Sequence, residues 1–338
     1  MKLLKKCIAV VFAAFSVFAC ACTGNQVSYT LFGGSFWLNS TEIVDVGTVN
    51  ETCVYDITLT PAEKAPFTAE YDDGTALTTK LTNYSENGKN YYKFTVEMVV
   101  KGRYKFGDTE VPVDDSIVSE CIFSGLKEQF YPLRSSKTVT STSVNYYENS
   151  LSFTFFSYKQ TVEYSDDKKA TVKIEQYNEM PESLKTEELK ALVYEAKTTA
   201  SEDTYDKLGS PFIDNELMLF FPRAAELTAG FSVRYNSLDA LAKTVRKMSV
   251  SVSSEKSDSE IKLSDYSING SAAKEKTIVC SNATIAISDS FSGSAQNLYF
   301  AKADAKNENK RRLVQMETQL PYLGGKMVYT LRSVTYGG

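Results

Sequence analysis

Few residues in this chain are of types and spacings suited to chemistry, and the first are two cysteines. Cys20 and Cys22 stand in the stretch FACACTG, after a short apolar run and before a polar one. By type they suit a redox pair or metal ligation. However, no second pair follows at metal-binding spacing and no βαβ pattern surrounds them. Ser124-Gly-Leu-Lys127 and Ser253-Ser-Glu-Lys256 match the order of a serine–lysine nucleophile, but the Ser-Asp-Asn and Lys-Thr-Gly elements that accompany it are missing. Asp72–Asp73, Asp114–Asp115 and Asp166–Asp167 are paired carboxylates, which a glycosidase places about 5–9 Å apart across a cleft. Here each pair adjoins turn residues between apolar runs, so solvated hairpin tips are expected. Histidine is absent, which removes the commonest general base and the commonest metal ligand together. With no dinucleotide or phosphate-loop motif either, the reading is not an enzyme, with no catalytic residue, metal site or cofactor.

The setting of Cys20 and Cys22 explains them differently. Lys2, Lys5 and Lys6 precede an apolar, small-residue run from Cys7 to Ala19, the layout of a secretory signal peptide. The run is shorter than the about 20 apolar residues a spanning helix needs. Its end resembles the lipobox of bacterial lipoproteins in two registers, Val17-Phe18-Ala19-Cys20 and Ala19-Cys20-Ala21-Cys22. That resemblance implies cleavage before Cys20 or Cys22 and acylation of the cysteine so exposed. A bacterial membrane location outside the cytoplasm follows, with the membrane itself as partner. An ordinary cleaved signal is the alternative. Each buried methylene of an acyl chain contributes about 0.8 kcal/mol and one chain anchors only reversibly, so two or three chains would hold durably.

Lys and Arg number 37 against 42 Asp and Glu, and loss of a lysine-bearing signal makes the balance still more acidic. No basic stripe of the kind phosphate backbones need is evident, so nucleic acid is not an expected partner. Cys53, Cys121 and Cys280 each lie in a strand-like apolar run and are expected as small buried hydrophobes rather than a disulfide framework.

The elements that would position any site are mostly strands. In NYYKFTVEMVVKGRYKF, Tyr92, Phe94, Val96, Met98, Val100, Tyr104 and Phe106 share one face. Lys93, Thr95, Glu97, Lys101, Arg103 and Lys105 share the other. Such period-two alternation describes a long antiparallel strand with one wet face. Gly102 is expected to bend or bulge it, with turns at 87–89 and 114–115. In LSFTFFSYKQTVEY the apolar set changes face at Phe155–Phe156, which suggests a bulge or a strand apolar on both sides, and DDKK at 166–169 closes a hairpin. Two helices are then predicted. One is near 186–199, capped by Thr186, and one near 214–226, capped by Asp214, bent at Pro222 and packed on the sheet by Leu217, Phe220 and Phe221. Strands resume from Gly230.

The fold expected is mainly β (α+β): one long, curved antiparallel sheet in a single domain, 23–338, after a signal at 1–21, with a helical insert at about 183–227. The order of strands, helices and strands resembles the half-barrel of bacterial lipoprotein and lipid carriers, and the closing TQLPYLGGKMVYTLRSVTY resembles the end of uncharacterised envelope lipoproteins. That resemblance implies a cradle for an apolar ligand or lipid. On the alternation of the strands such a cradle is lined by Phe94, Val96, Met98, Tyr104, Phe106, Phe220 and Phe221. The reading placed ahead of it is that segment 214–226 seals this face as ordinary core. The alternative is a surface scaffold that meets envelope proteins and holds no small ligand; a histidine-free hydrolase ranks below both.

Overall fold

The computed structural model describes residues 50–337 apart from 64–66, 125–130, 148–149, 178–198, 210, 226, 275, 288–294, 303–308 and 320–324. Short polar turns join runs of β-branched and aromatic residues, and the outcome is β1 (Asn50–Pro61), β2 (Thr68–Tyr71), β3 (Ala76–Glu86), β4 (Lys89–Phe106) and β5 (Thr109–Ser124). β6 (Tyr131–Tyr147), β7 (Ser150–Tyr164), β8 (Ala170–Tyr177) and β9 (Thr199–Tyr205) continue the meander. After an irregular segment come β10 (Ser232–Asp239), β11 (Thr244–Val252), β12 (Asp258–Lys262), β13 (Ser267–Ile268) and β14 (Ser271–Ala272). β15 (Thr277–Ile287), β16 (Gln296–Ala301), β17 (Leu313–Gln319) and β18 (Gly325–Tyr336) complete a single 18-stranded sheet. Its ladders are antiparallel except where β13 meets β18.

β1 joins the two halves, pairing with β3 on one side and with β18 on the other. From there the ladders run outward through β4 to β9 in one direction and through β17, β16, β15 and β11 to β10 in the other. The two ends come together by side-chain packing. Val162, Ala170, Val172 and Ile174 from one end share a small core with Leu208, Leu238 and Ala240 at the other. Lys243 Nζ meets Asp203 Oδ2 at 2.8 Å across the same junction. Residues 211–213 cover the β10 edge through Ile213 N–H to Asn236 O and Asn236 N–H to Pro211 O. Edges closed in this way are not free to pair with another chain.

On β4 the even positions from Phe94 to Val100, with Tyr104 and Phe106, are buried, and the odd charged residues face outward. The turn before it is a two-residue hairpin: Asn87 (φ 52°) and Gly88 (φ 73°) separate Glu86 from its partner Lys89, as a type I′ turn requires. Gly102 does not bulge the strand, since the β4–β5 register passes through Gly102↔Val113 unbroken. Its role is close approach: at φ +147° a Cβ would lie 2.1 Å from the Glu70 carbonyl oxygen of β2. The bulge expected at Phe155–Phe156 is also missing, because β6 and β7 pair without a slip from Arg134↔Glu163 to Tyr147↔Ser150. DDKK at 166–169 does turn the chain between β7 and β8.

The helical insert needs the larger correction. The helix expected at 186–199 lies outside the described residues but for Thr199, which opens strand β9. The segment 214–226 is not a helix: it holds two short 3-10 turns, Asn215–Leu217 and Phe221–Ala224. Bonds such as Phe220 N–H to Leu217 O (2.9 Å) and Arg223 N–H to Phe220 O (3.1 Å) span three residues. Pro222 has no N–H for the carbonyl four residues back, which stops an α-helix there. The segment is also apolar on nearly every side, so filling the sheet's concave face outweighs helical regularity. Leu217, Phe220 and Phe221 are buried there as expected. No α-helix occurs among the described residues, and none is long and apolar enough to cross a membrane.

Candidate functional site

The plug, residues 213–225, brings the sequence-predicted apolar residues together in part. Phe220 stacks on Phe94 (5.3 Å between ring centroids) and tilts against Phe123 (5.8 Å), while Phe221 meets Tyr235 edge-on at 5.0 Å. Val96 lies beside Met218 and Leu219 around an opening of only about 10 Å³, room for one water. Met98 faces Leu77 on β3 and Ile117 on β5. Tyr104 and Phe106 belong elsewhere, packed on Phe67 at 5.9 and 5.5 Å. All seven are buried, and a ligand would reach Phe94 and Val96 only if the plug moved out. Cys20 and Cys22 lie outside the described residues. Cys53, Cys121 and Cys280 are free and buried, and burial pushes the Cys53 thiol, next to Glu51, up to about 12.

Polar chemistry sits at the two ends of the plug. At its start, Asp214 Oδ1 accepts the Glu216 N–H (2.7 Å), and Oδ2 accepts the hydroxyls of Ser135 (2.7 Å) and Tyr164. Lys137 Nζ donates to Glu216 Oε1 at 3.3 Å, with both side chains almost fully buried. Burial and then the neighbouring Glu216 charge raise Asp214 to about 6, against the pull of its hydrogen bonds. Burial works against the Lys137 charge, but Glu216, Tyr158 and Asp214 together outweigh it and the ammonium holds its proton more tightly than usual.

At the plug's end the balance is reversed. Arg223 Nη1 donates to Glu51 Oε1 at 2.7 Å and its Nη2 to Oε2 at 3.3 Å, a two-pronged grip on one carboxylate. Arg312 Nη2 reaches the same Oε2 at 3.2 Å and also Tyr336, while its Nη1 donates to Tyr266 at 3.3 Å. Burial alone would raise Glu51; the two guanidiniums overcome it and hold the carboxyl at about 2.

Arg312 closes the run Lys310-Arg311-Arg312, immediately before β17. Lys310 (φ 47°) and Arg311 (φ 49°) are consecutive non-glycine residues in the left-handed region. Such conformations persist where surrounding bonds enforce them. Here Arg312 N–H bonds Asn309 O (2.9 Å), Arg223 Nη2 bonds Lys310 O (2.9 Å) and Arg311 Nη1 bonds Ala225 O (3.2 Å). The signal available was three basic residues in a row within an acidic chain. Beside this turn opens a cleft of about 360 Å³, bordered by Arg223, Arg311 and Lys302 with Ser281, Leu227 and Phe300.

A third buried carboxyl corrects the sequence reading. Asp114–Asp115 is not a hairpin tip: it lies within β5, and the turn falls at Gly107–Asp108. The β5–β6 ladder stops at Ser116↔Thr140, and the Asp115 side chain takes over, accepting the Thr142 N–H (2.6 Å) and the Ser141 hydroxyl (3.0 Å). Burial pushes it up to about 7 despite those bonds. Asp72–Asp73 and Asp166–Asp167 do sit in exposed turns. Among the described residues no group of three or more Cys, Asp and Glu side chains could hold a metal ion.

No known protein family matches the chain, and no curated protein is significantly similar to it. Among solved structures, a β-barrel-like protein of a domain of unknown function, DUF1849, from Brucella abortus is similar at 12% identity. The match covers 86% of this chain and 99% of that one, with a TM-score of 0.47.

Proposed function

We propose that this chain is a lipid-anchored protein of the bacterial envelope, held on the outer side of a membrane by an acylated Cys20 or Cys22, and that it works as a binding module rather than a catalyst. The observation that carries the binding reading is the contrast between the filled inner face and the open cleft of about 360 Å³, a size typical of small-molecule sites. The cradle expected on the inner face is occupied by the chain's own Phe220, so engagement passes to the cleft where the plug ends.

The anchoring half rests on the lipobox-like segment and gains support from the convex face of the sheet. Lys80–Glu97, Lys93–Glu120 and Lys105–Glu70 pair across strands there. A lipid-facing barrel surface would present an apolar band at these positions. A face of this kind suits water, and in this reading attachment is through the acyl chains and not through the sheet.

Membrane fractionation of the full chain tests the anchor. The unaltered protein is expected in the membrane fraction, and the double variant Cys20→Ser/Cys22→Ser in the soluble or uncleaved fraction; an unchanged distribution overturns it. Native mass spectrometry of the full chain tests the binding module. A stoichiometric small molecule lost on unfolding supports it, and a bare chain from several preparations favours the scaffold without a ligand.

A further inference from the structure

The closed sheet has one joint that no ladder spans. β9 is tied to β8 from Ala170↔Tyr205 to Gln176↔Thr199, and β10 to β11 from Ser232↔Ser251 to Asp239↔Thr244. Among the described residues no backbone pairing joins β9 to β10. What holds the joint is a small core of its own, built on Val162, Val172, Ile174, Leu208 and Leu238 and set apart from the main one. The Lys243–Asp203 pair lies beside it with side chains 50% and 35% exposed, so solvent screens much of its attraction.

The chain crosses this joint between Tyr205 and Ser232, and the crossing carries the plug. Its approach is pinned to β10 at one residue. Asn236 gives its N–H to Pro211 O and takes the Ile213 N–H on its carbonyl, and its Nδ2 donates to Pro211 O at 3.3 Å. Asp214 comes next and is held by Ser135 of β6 and Tyr164 of β7, on the other side of the joint. Residues 211–214 are thus gripped from both sides, which cannot part without breaking one grip. The side-chain grip at Asp214 is the one away from β10, into which the plug continues. The far end of the plug is fastened elsewhere, by Arg223 on Glu51 of β1.

Stability is not uniform in a folded chain, and a unit with few buried apolar contacts opens before the whole. We infer that the sheet parts at the β9–β10 seam in a local opening short of unfolding, that the start of the plug leaves with β10 while Arg223 stays on Glu51, and that this opening is the route to Phe94 and Val96.

Two buried thiols report on the two halves. Cys121 on β5 stands between Phe94 and Ser135, both of which hold the plug. Cys280 on β15 pairs with Ala301 in the other half. Thiol labelling of the full chain along a urea series, read by peptide mass spectrometry and referred to the rate in the unfolded chain, tests the inference. In dilute urea Cys121 is expected to react at least tenfold faster than Cys280. Its rate should also rise less steeply with urea, because parting the seam exposes less surface than unfolding does. Leu298→Ala, in the main core away from the seam, is expected to speed Cys280 at least tenfold and leave Cys121 unchanged, since it alters global unfolding and not the local opening. Leu238→Ala, inside the seam, is expected to speed both at least tenfold. A Cys121 no faster than Cys280, or one that follows Leu298→Ala, overturns the inference: the plug then leaves only when the whole chain unfolds.

Discussion

The two ends of the plug solve the same problem in opposite ways. At the start, two carboxyls, Asp214 and Glu216, meet one cation, Lys137. At the end, two guanidiniums, Arg223 and Arg312, meet one carboxylate, Glu51. Both sets are buried. The acidic excess has an internal remedy, because a carboxyl can take up a proton, and Asp214 is raised to about 6 accordingly. The arginines cannot answer in that way, since arginine does not release its proton in proteins. The start of the plug closes around an opening of about 10 Å³, whereas its end borders the cleft. The difference teaches that one buried segment can be fixed at its two ends by charge sets of opposite composition, of which only one contains a carboxyl raised far enough to take up a proton.

Removing the lone member of the basic set should have the largest effect. Glu51→Gln removes the carboxylate that two buried guanidiniums share, and breaking a buried pair on one side destabilises by about 3–5 kcal/mol. Urea unfolding monitored by circular dichroism is expected to show that loss. A loss below about 1 kcal/mol would mean that the arginines are not held chiefly by this carboxylate.

The titratable carboxyls should give a smaller effect with a definite sign. Asp115 and Asp214 are both raised in the folded chain, so folding binds protons that the unfolded chain releases. Their contribution is complete below about pH 4 and is lost as pH rises through about 6 for Asp214 and about 7 for Asp115. Glu51 has the opposite sign: its contribution is present above about pH 4.5 and is lost as pH falls toward 2. Unfolding midpoints measured between pH 4.5 and 7.5 are expected to decline with pH. Asp115→Asn should flatten the upper part of that decline and Asp214→Asn the lower, and an unaltered slope in both variants would contradict these placements.

The outer face should respond least. Lys80 Nζ and Glu97 Oε1 are 2.8 Å apart, but each side chain is about 40% exposed. Exposed pairs of this kind are worth about 0.2–1 kcal/mol, so Lys80→Ala is expected to shift the unfolding free energy by less than about 0.5 kcal/mol. A cost comparable to that of Glu51→Gln would show that the outer ladders, and not the plug ends, carry the electrostatic stability.

Where a local pattern suffices, the chain can be read directly. The alternation on β4 dictates its register, because a one-residue slip would bury Lys93, Glu97, Lys101 and Arg103 together. Asn87-Gly88 dictates its hairpin, because both residues tolerate positive φ. Three readings miss, each for a nameable reason. Asp114–Asp115 resembles a turn by composition, yet Asp115 is drawn into the sheet by an amide the ladder leaves over. The 214–226 segment has the caps and spacing of a helix, yet its apolar surface is wanted on every side at once and Pro222 forbids the continuation. Arg311 and Arg312 read as the start of a strand, yet Lys310 and Arg311 turn the chain at positive φ and the partners that hold the turn lie far away in sequence.

The sequence by itself determined the strand-forming character, the tight turns, the inward face of β4 and the absence of histidine chemistry, since each depends on residues within a few positions of one another. Only the tertiary structure decided that the inner face would be filled by the chain itself and that Glu51 would meet Arg223 and Arg312, 172 and 261 residues away. A side chain's partner at that separation is chosen only when the whole sheet has assembled. The energy that fixes the choice, two opposite charges sharing a site from which water is excluded, does not exist until it has.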